Sequence, residues 1–369
     1  MSYFHTLSIN RVTPEAAGAV AVSFGIPPDL RRVFAFKPGQ FLTLKAEVQG
    51  EAVRRSYSIC SSTQRLAASH EIEVGIKPVE GGVFSNWATR LKAGDTLEVM
   101  PPDGRFTPRV ASARHRVGWA AGSGITPLLS IMASTLADEP ASRFTLVYCN
   151  QRSSSILFNE ALQDLKDRYP ARLSLIHLLS RQAQEVPLFN GRLDAAKVGE
   201  LLGRLVPAAS IDETFVCGPE AMIESCEQAL LAAGIPRERI HAERFSTGER
   251  VVRAIDSIAV GADGARATGQ KDLNNQPMVQ LSVVLDGKSH ELRMSPDEHV
   301  LDVALAAGLD LPYSCKGGVC CTCRARVLEG QVRMDKNFTL EDWEVQKGFV
   351  LSCQARPIGS SLRISYDER

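Results

Sequence analysis

Four cysteines carry the spacing in this sequence most suited to chemistry. Cys315-Lys316-Gly317-Gly318-Val319-Cys320-Cys321-Thr322-Cys323 is followed, past Val350-Leu351-Ser352, by Cys353. Cys315, Cys320, Cys323 and Cys353 together read C-x4-C-x2-C plus one distant cysteine. That spacing holds a [2Fe–2S] cluster between one tight loop and one separate segment. Gly317 and Gly318 let the backbone curl toward the sulfurs, where amide N–H groups stabilise an anionic cluster. A structural zinc site is the competing reading, but zinc usually takes its thiolates from two short knuckles. Cys321 adjoins a ligand position and is expected to face away. A ligand set that includes it stays open.

A second group of residues suits a flavin. Arg55-Ser56-Tyr57-Ser58 comes first, then Lys77, then Gly81-Gly82-Val83-Phe84-Ser85. An arginine can grip a pyrophosphate with two parallel hydrogen bonds. A tyrosine offers a flat face to the isoalloxazine, and a serine at the same strand end can reach the ring edge. The Gly81-Gly82-x-x-Ser85 turn, leading into a helix expected over 86–90, could aim amides at phosphate oxygens. Lys77 is counted with these cofactor-binding residues. Arg-x-Tyr-Ser alone is an ordinary half-exposed strand; the combination and its order carry the reading.

A third group suits a nicotinamide dinucleotide. The apolar strand Val117–Ala121 runs into Gly122-Ser123-Gly124-Ile125-Thr126-Pro127 and a helical stretch, Leu128–Leu136. Strand, glycine-rich turn and helix place a pyrophosphate at a helix N-terminus. Thr214–Val216 leads into Cys217-Gly218-Pro219. Arg152 and Ser180-Arg181 follow two further strands, with serines and no acid beside them. Arginine there suits a 2′-phosphate, whereas a carboxylate suits the bare ribose of NAD, so NADPH is expected. The competing reading for these arginines is solvated loop charge.

These residues resemble the ferredoxin–NADP reductase superfamily, with a plant-type [2Fe–2S] ferredoxin domain at the C-terminal end. The resemblance rests on Arg55-x-Tyr57-Ser58, Gly82-x-x-Ser85, Gly122-x-Gly124-x-Thr126-Pro127, Cys217-Gly218-Pro219 and the cysteine loop. It implies FAD rather than FMN, Arg55 on the flavin phosphates, and Tyr57 packed on the ring. It also implies Ser58 near the reactive nitrogen, and the Thr126-Pro127 and Cys217 turns beside the nicotinamide. Tyr57, Ser58 and Cys217 are thus the expected residues of hydride transfer, with Phe245 over the pocket. Stretches between the motifs, such as Arg54–Cys60, Leu311–Cys320 and Gly348–Gln354, are most similar to reductase subunits of phenylacetyl-CoA epoxidases. That implies a separate di-iron oxygenase as electron acceptor. The chain lacks the pair of Glu-x-x-His motifs of a di-iron carboxylate site, so oxygen chemistry would belong to that partner. Reductases of steroid or arene hydroxylases, and freestanding ferric or quinone reductases, are the alternatives.

The elements that must position these groups give a multidomain expectation. Short alternating strands over Phe4–Val12, Gln40–Leu44, Arg54–Ile59, Glu71–Lys77 and Thr96–Met100 predict an antiparallel β-barrel for the flavin within 1–110. Strands alternating with helices predict a parallel α/β sheet over 111–246, with Leu173–Leu179 among its strands and helices from Ile156 and over Glu220–Ala233. Glycine-rich, weakly periodic 247–277 reads as a linker, although Val251–Val260 is apolar enough to pack on a neighbour. A β-grasp ferredoxin domain is expected over 278–369, with a hairpin at Asp286-Gly287 and a helix at Val300–Ala307.

Composition narrows the partners. The 369 residues hold 42 Lys+Arg against 42 Asp+Glu, which argues against nucleic acid or an anionic membrane as the main partner. No apolar run has the length of a membrane span, and no secretory signal opens the chain. Nine cysteines, four of them assigned to the cluster, suit reduced thiols in a cytoplasm rather than a disulfide framework.

Overall fold

The computed structural model describes residues 4–245, 258–261 (backbone only) and 278–368, in two compact units, Met1–Phe245 and Ser246–Arg369. The first unit opens with β1 (His5–Pro14), β2 (Val20–Gly25), β3 (Phe41–Val48), β4 (Glu51–Ser58), helix α1 (Thr63–Ser69), β5 (Glu71–Ile76), α2 (Val83–Ala88) and β6 (Thr96–Val99). Period-two patterning drives these strands: Ile72, Val74 and Ile76 of β5 are buried while their neighbours are not. The strands form one antiparallel sheet in the order β4-β3-β6-β1-β2-β5. The sheet curls until its ends meet, where Ile59, just past β4, bridges Val74 of β5. Leu7, Val22, Phe24, Leu42, Leu44, Val74 and Val99 fill the interior. The helix expected over 86–90 instead occupies Val83–Ala88, so Ser85 lies within it rather than before it.

The same unit continues with β7 (His115–Ala121), α3 (Ile125–Asp138), β8 (Arg143–Asn150), α4 (Asn159–Arg168), β9 (Leu173–Leu179), α5 (Ala195–Arg204), β10 (Glu213–Gly218), α6 (Glu220–Ala232) and β11 (Ile240–Arg244). The sheet is wholly parallel, in the order β11-β10-β7-β8-β9. Its central strand β7 is buried from His115 to Ala120, as a strand covered on both faces must be. The helix expected from Ile156 begins at Asn159.

Polar ties fix the barrel against this α/β layer. The Glu213 carboxylate, fully buried, accepts from the Arg109 amide at 2.6 Å, Arg116 Nε at 2.9 Å and His241 Nε2 at 2.8 Å. It thereby clamps the connector between the two layers. Ser130 Oγ of α3 donates to the Ser61 carbonyl at 2.7 Å, and Glu15 accepts from the Phe158 amide at 2.8 Å.

The second unit contains β12 (Ile258–Gly261), β13 (Val279–Leu285), β14 (Lys288–Met294), α7 (Val300–Ala306), β15 (Arg324–Met334), α8 (Asp342–Gln346), β16 (Phe349–Leu351) and β17 (Ala355–Ser365). They form a mixed sheet in the order β12-β15-β17-β13-β14, with β16 also on β15 and β13–β17 the parallel pair. Val300, Leu301 and Ala304 of α7 pack on Val279, Leu281 and Val283 beneath it, the β-grasp arrangement. Within the expected linker 247–277, Ile258–Gly261 is a strand paired with Gln331–Met334 of β15. The rest of that segment lies outside the described residues. Among the described residues, no helix is long and apolar enough to cross a membrane.

Candidate redox sites

In a parallel sheet of this order the strand direction of progress reverses between β7 and β10, and ligands bind at the carboxyl ends beside that reversal. The Gly122-Ser123-Gly124 turn leaves β7 there, and Cys217-Gly218-Pro219 leaves β10. Gly122 takes a left-handed φ of +54°, and its carbonyl accepts from the Tyr148 hydroxyl at 2.9 Å. Thr126 Oγ1 donates to the Ser123 carbonyl at 3.0 Å, closing the turn onto α3. A Cβ on Gly124 would sit 2.0 Å from the Cys217 carbonyl oxygen, so the two turns are packed backbone to backbone. Pro127 is buried in the first turn of α3.

The barrel contributes to the same crevice. A Cβ on Gly122 would come within 3.8 Å of Lys77 Nζ, which puts that ammonium beside the turn. Ser58, buried at the end of β4, donates from Oγ to Glu243 Oε2 at 3.1 Å. Glu243 in turn pairs in register with Cys217 across β10 and β11. Ser58, Cys217 and Glu243 therefore meet, although they span 185 residues of sequence. From sequence, Phe245 has a place over the pocket and Glu243 has none. A carboxyl at the carboxyl end of a parallel strand near the reversal is the signal that points to it.

Burial sets the charge of this crevice. Desolvation, with Glu243 adding to it, pushes the Cys217 thiol far above its usual range. Desolvation also pushes the Glu243 carboxyl up to about 8, against the lowering effect of the Ser58 hydroxyl. Both shifts favour the protonated form. Burial likewise raises the Tyr57 phenol, with Arg55 opposing, and its ring lies against Phe84 at 5.7 Å and 35°.

The remaining flavin candidates sit along the barrel rim. Arg55 is exposed, and its Nη1 donates to the Arg54 carbonyl at 2.7 Å. Gly81 has a left-handed φ of +70°. A Cβ on Gly82 would lie 2.5 Å from Ser85 Oγ, which itself accepts from the Val79 amide at 3.3 Å. The turn needs glycine at both places. Arg152 and Arg181 stand on neighbouring loops held together by Ser180 N–H to the Asn150 carbonyl and Arg181 N–H to the Gln151 carbonyl, each 2.9 Å. The Gln182 carboxamide oxygen also accepts from Ser153 N–H at 2.9 Å. Both arginines are exposed, with no ion pair among the described residues. Phe245 follows β11 and is partly exposed.

In the second unit the four cysteines converge in two pairs. Cys315 and Cys320 lie within hydrogen-bond reach of each other, and so do Cys323 and Cys353. Lys316, Gly318 and Cys321 adopt left-handed φ of +49°, +77° and +57°, which winds the loop around the thiols. The Gly317 amide donates to Cys315 Sγ at 3.3 Å. The Cys320 thiol and the Gly317 and Val319 amides pull Cys315 down to about 6 against its burial. Cys321 faces away, its Sγ 2.8 Å from Thr339 Oγ1. Among the described residues no three of His, Cys, Asp and Glu converge on a single-ion site. Two soft thiol pairs under amide donors would suit a centre of two irons.

Three family models match the chain: an oxidoreductase FAD-binding domain over residues 17–107, an oxidoreductase NAD-binding domain over 119–228, and a 2Fe-2S iron-sulfur cluster binding domain over 283–357. The chain is 43% identical to one of the subunits that make up the 1,2-phenylacetyl-CoA epoxidase of Escherichia coli, over 100% of this chain and 99% of that protein. The chain belongs to the ferredoxin–NADP reductase superfamily, in the branch with a C-terminal 2Fe-2S domain. It is 34% identical to the ferredoxin reductase component of a 3-ketosteroid-9-alpha-monooxygenase from Rhodococcus rhodochrous, over 98% of this chain and 96% of that one. The solved structure of phthalate dioxygenase reductase matches its fold, with a TM-score of 0.58, 20% identity and 98% of both chains covered. This member of the superfamily is an NAD(P)H-dependent flavin and iron–sulfur oxidoreductase.

Proposed function

We propose that the chain carries electrons from NADPH by way of FAD and a [2Fe–2S] cluster to a di-iron oxygenase, the phenylacetyl-CoA epoxidase of its 43%-identical relative. The observation that carries this reading is the presence in one chain of a crevice at the carboxyl ends of the parallel strands, where Ser58, Cys217 and Glu243 meet, and two paired thiol sets. Bound flavin accepts two electrons together as hydride and releases them singly, which couples a nicotinamide to a one-electron centre.

The chain's own residues do the positioning. Arg55, Lys77, Gly81, Gly82 and Ser85 hold the FAD, Tyr57 packs its ring, and Ser58 reaches the ring edge. Gly122, Gly124, Thr126, Pro127, Cys217, Gly218, Pro219 and Phe245 form the nicotinamide side. Cys217 and Glu243 keep their protons, so no fixed anion faces the reacting carbon. Arg152, Ser180 and Arg181 bind the 2′-phosphate, and two exposed cations without an ion pair among the described residues support that role. Cys315 with Cys320, and Cys323 with Cys353, hold the cluster. The domains are bounded at 110, 246 and 277, and the reduced thiols suit the cytoplasm.

Anaerobic visible spectra followed during NADPH and then NADH addition test the electron path. Flavin and [2Fe–2S] bands that bleach at lower NADPH than NADH are expected; a colourless protein, or bleaching by NADH at least as readily, overturns the reading. Reconstitution with purified oxygenase subunits then tests the partner. Product from phenylacetyl-CoA is expected, and support of a steroid or arene hydroxylase alone overturns the assignment.

A further inference from the structure

Gln354 follows the fourth cysteine in the turn between β16 and β17 and is buried. Its carboxamide Nε2 lies 3.0 Å from the Lys316 carbonyl, 2.9 Å from the Cys353 carbonyl and 3.6 Å from Cys353 Sγ. Both close oxygens only accept hydrogen bonds, so the end of the amide that faces them is the NH2. One hydrogen goes to the Lys316 carbonyl. The other is shared between the carbonyl and the sulfur of Cys353. The backbone at this position is pinned on both sides, by Gln354 N–H to the Leu351 carbonyl at 2.8 Å and Asp335 N–H to the Gln354 carbonyl at 2.9 Å. Gly318 of the loop rests on the side chain, where a Cβ would meet Gln354 Cγ at 3.3 Å.

We infer that Gln354 is a positioning residue of the iron–sulfur site, with two separable effects. It rests on the ligand assignment proposed above. As a strut, it ties the segment of Cys353 to the loop of Cys315, the two pieces that sequence leaves furthest apart. As a donor, it puts an N–H on a ligand sulfur. A hydrogen bond to sulfur stabilises the more electron-rich state and raises the reduction potential.

The test is the midpoint potential of the full-length holoprotein, with iron and labile sulfide content, for wild type, Gln354→Met and Gln354→Asn. Met keeps the volume and removes the donor. It is expected to shift the one-electron equilibrium toward the oxidised state by up to about tenfold, or about 59 mV, and to speed iron loss to a chelator. A purely structural role would speed iron loss and leave the potential alone. Unchanged potential at full iron content overturns the inference. If the Met variant does not load, Asn carries the test: one methylene shorter, it no longer spans to Lys316, and faster iron loss with a lowered potential is expected. Wild-type potential and retention in that variant overturn the inference. A wild type without a [2Fe–2S] signal overturns the ligand assignment and this inference together.

Discussion

Cys217 is a fully buried thiol and Cys315 a half-buried one, and their surroundings move them in opposite directions. Cys217 lies near the end of a parallel strand with Glu243 opposite, so burial and that carboxyl hold its proton on. Cys315 sits under a neighbouring thiol and loop amides, which outweigh burial and draw its proton off. The first setting suits a site where hydride passes and stray charge would interfere. The second suits a site that must present thiolate to metal. The same residue type serves either end because the local hydrogen-bond donors decide the charge.

Breaking the thiolate side has the largest expected effect. Cys323→Ala removes one member of a pair and should reduce electron delivery to one-electron protein acceptors to background. NADPH oxidation with a two-electron acceptor should stay near wild type; cytochrome reduction set against quinone reduction reads the split. Gly124→Ala strikes the other side. Its Cβ would overlap the Cys217 carbonyl at 2.0 Å, and a loss of about 1–3 kcal/mol in unfolding free energy is expected by denaturant titration, with a raised KM for NADPH. Arg181→Glu should cost NADPH about 10- to 100-fold in kcat/KM, the size of a charge-assisted hydrogen bond, and leave NADH little changed.

Glu243→Gln sharpens the comparison through pH. The folded carboxyl titrates near 8, above its ordinary 4.5, so its contribution to stability is complete at low pH and is lost as pH rises toward 8. The variant should flatten that fall in melting temperature between pH 5 and 8. It should also remove a transition near pH 8 from the rate of flavin reduction in stopped flow. The smallest effect belongs to Cys321→Ser. Its thiol faces Thr339, so iron content and midpoint potential should match wild type.

The convergence of the four cysteines was legible in sequence because it is mostly local: three of the thiols lie within nine residues, and only Cys353 comes from elsewhere. The left-handed turns at Lys316 and Cys321 were not, since neither is glycine. The crevice at the carboxyl ends of β7 and β10 was half legible. Glycine turns mark strand ends, so Gly122–Pro127 and Cys217–Pro219 were found, but Glu243 reaches Ser58 only through the fold. Gln354 shows the same limit, because an amide between two cysteine-bearing segments has no spacing of its own. The strand at Ile258–Gly261 was only partly legible: Val251–Val260 read as apolar enough to pack on a neighbour, but not as a strand. Four residues among glycines carry too little period to register, and their partner on β15 supplies the order.

That strand changes how the iron–sulfur unit could be isolated. It ends the sheet beside β15, covering the backbone groups of Gln331–Met334 on that side. A fragment begun at Met278 would leave those groups as an open edge, ready to template pairing with a second copy. A fragment that keeps Ile258–Gly261 carries its own cover and should remain monodisperse at concentrations where the shorter one self-associates.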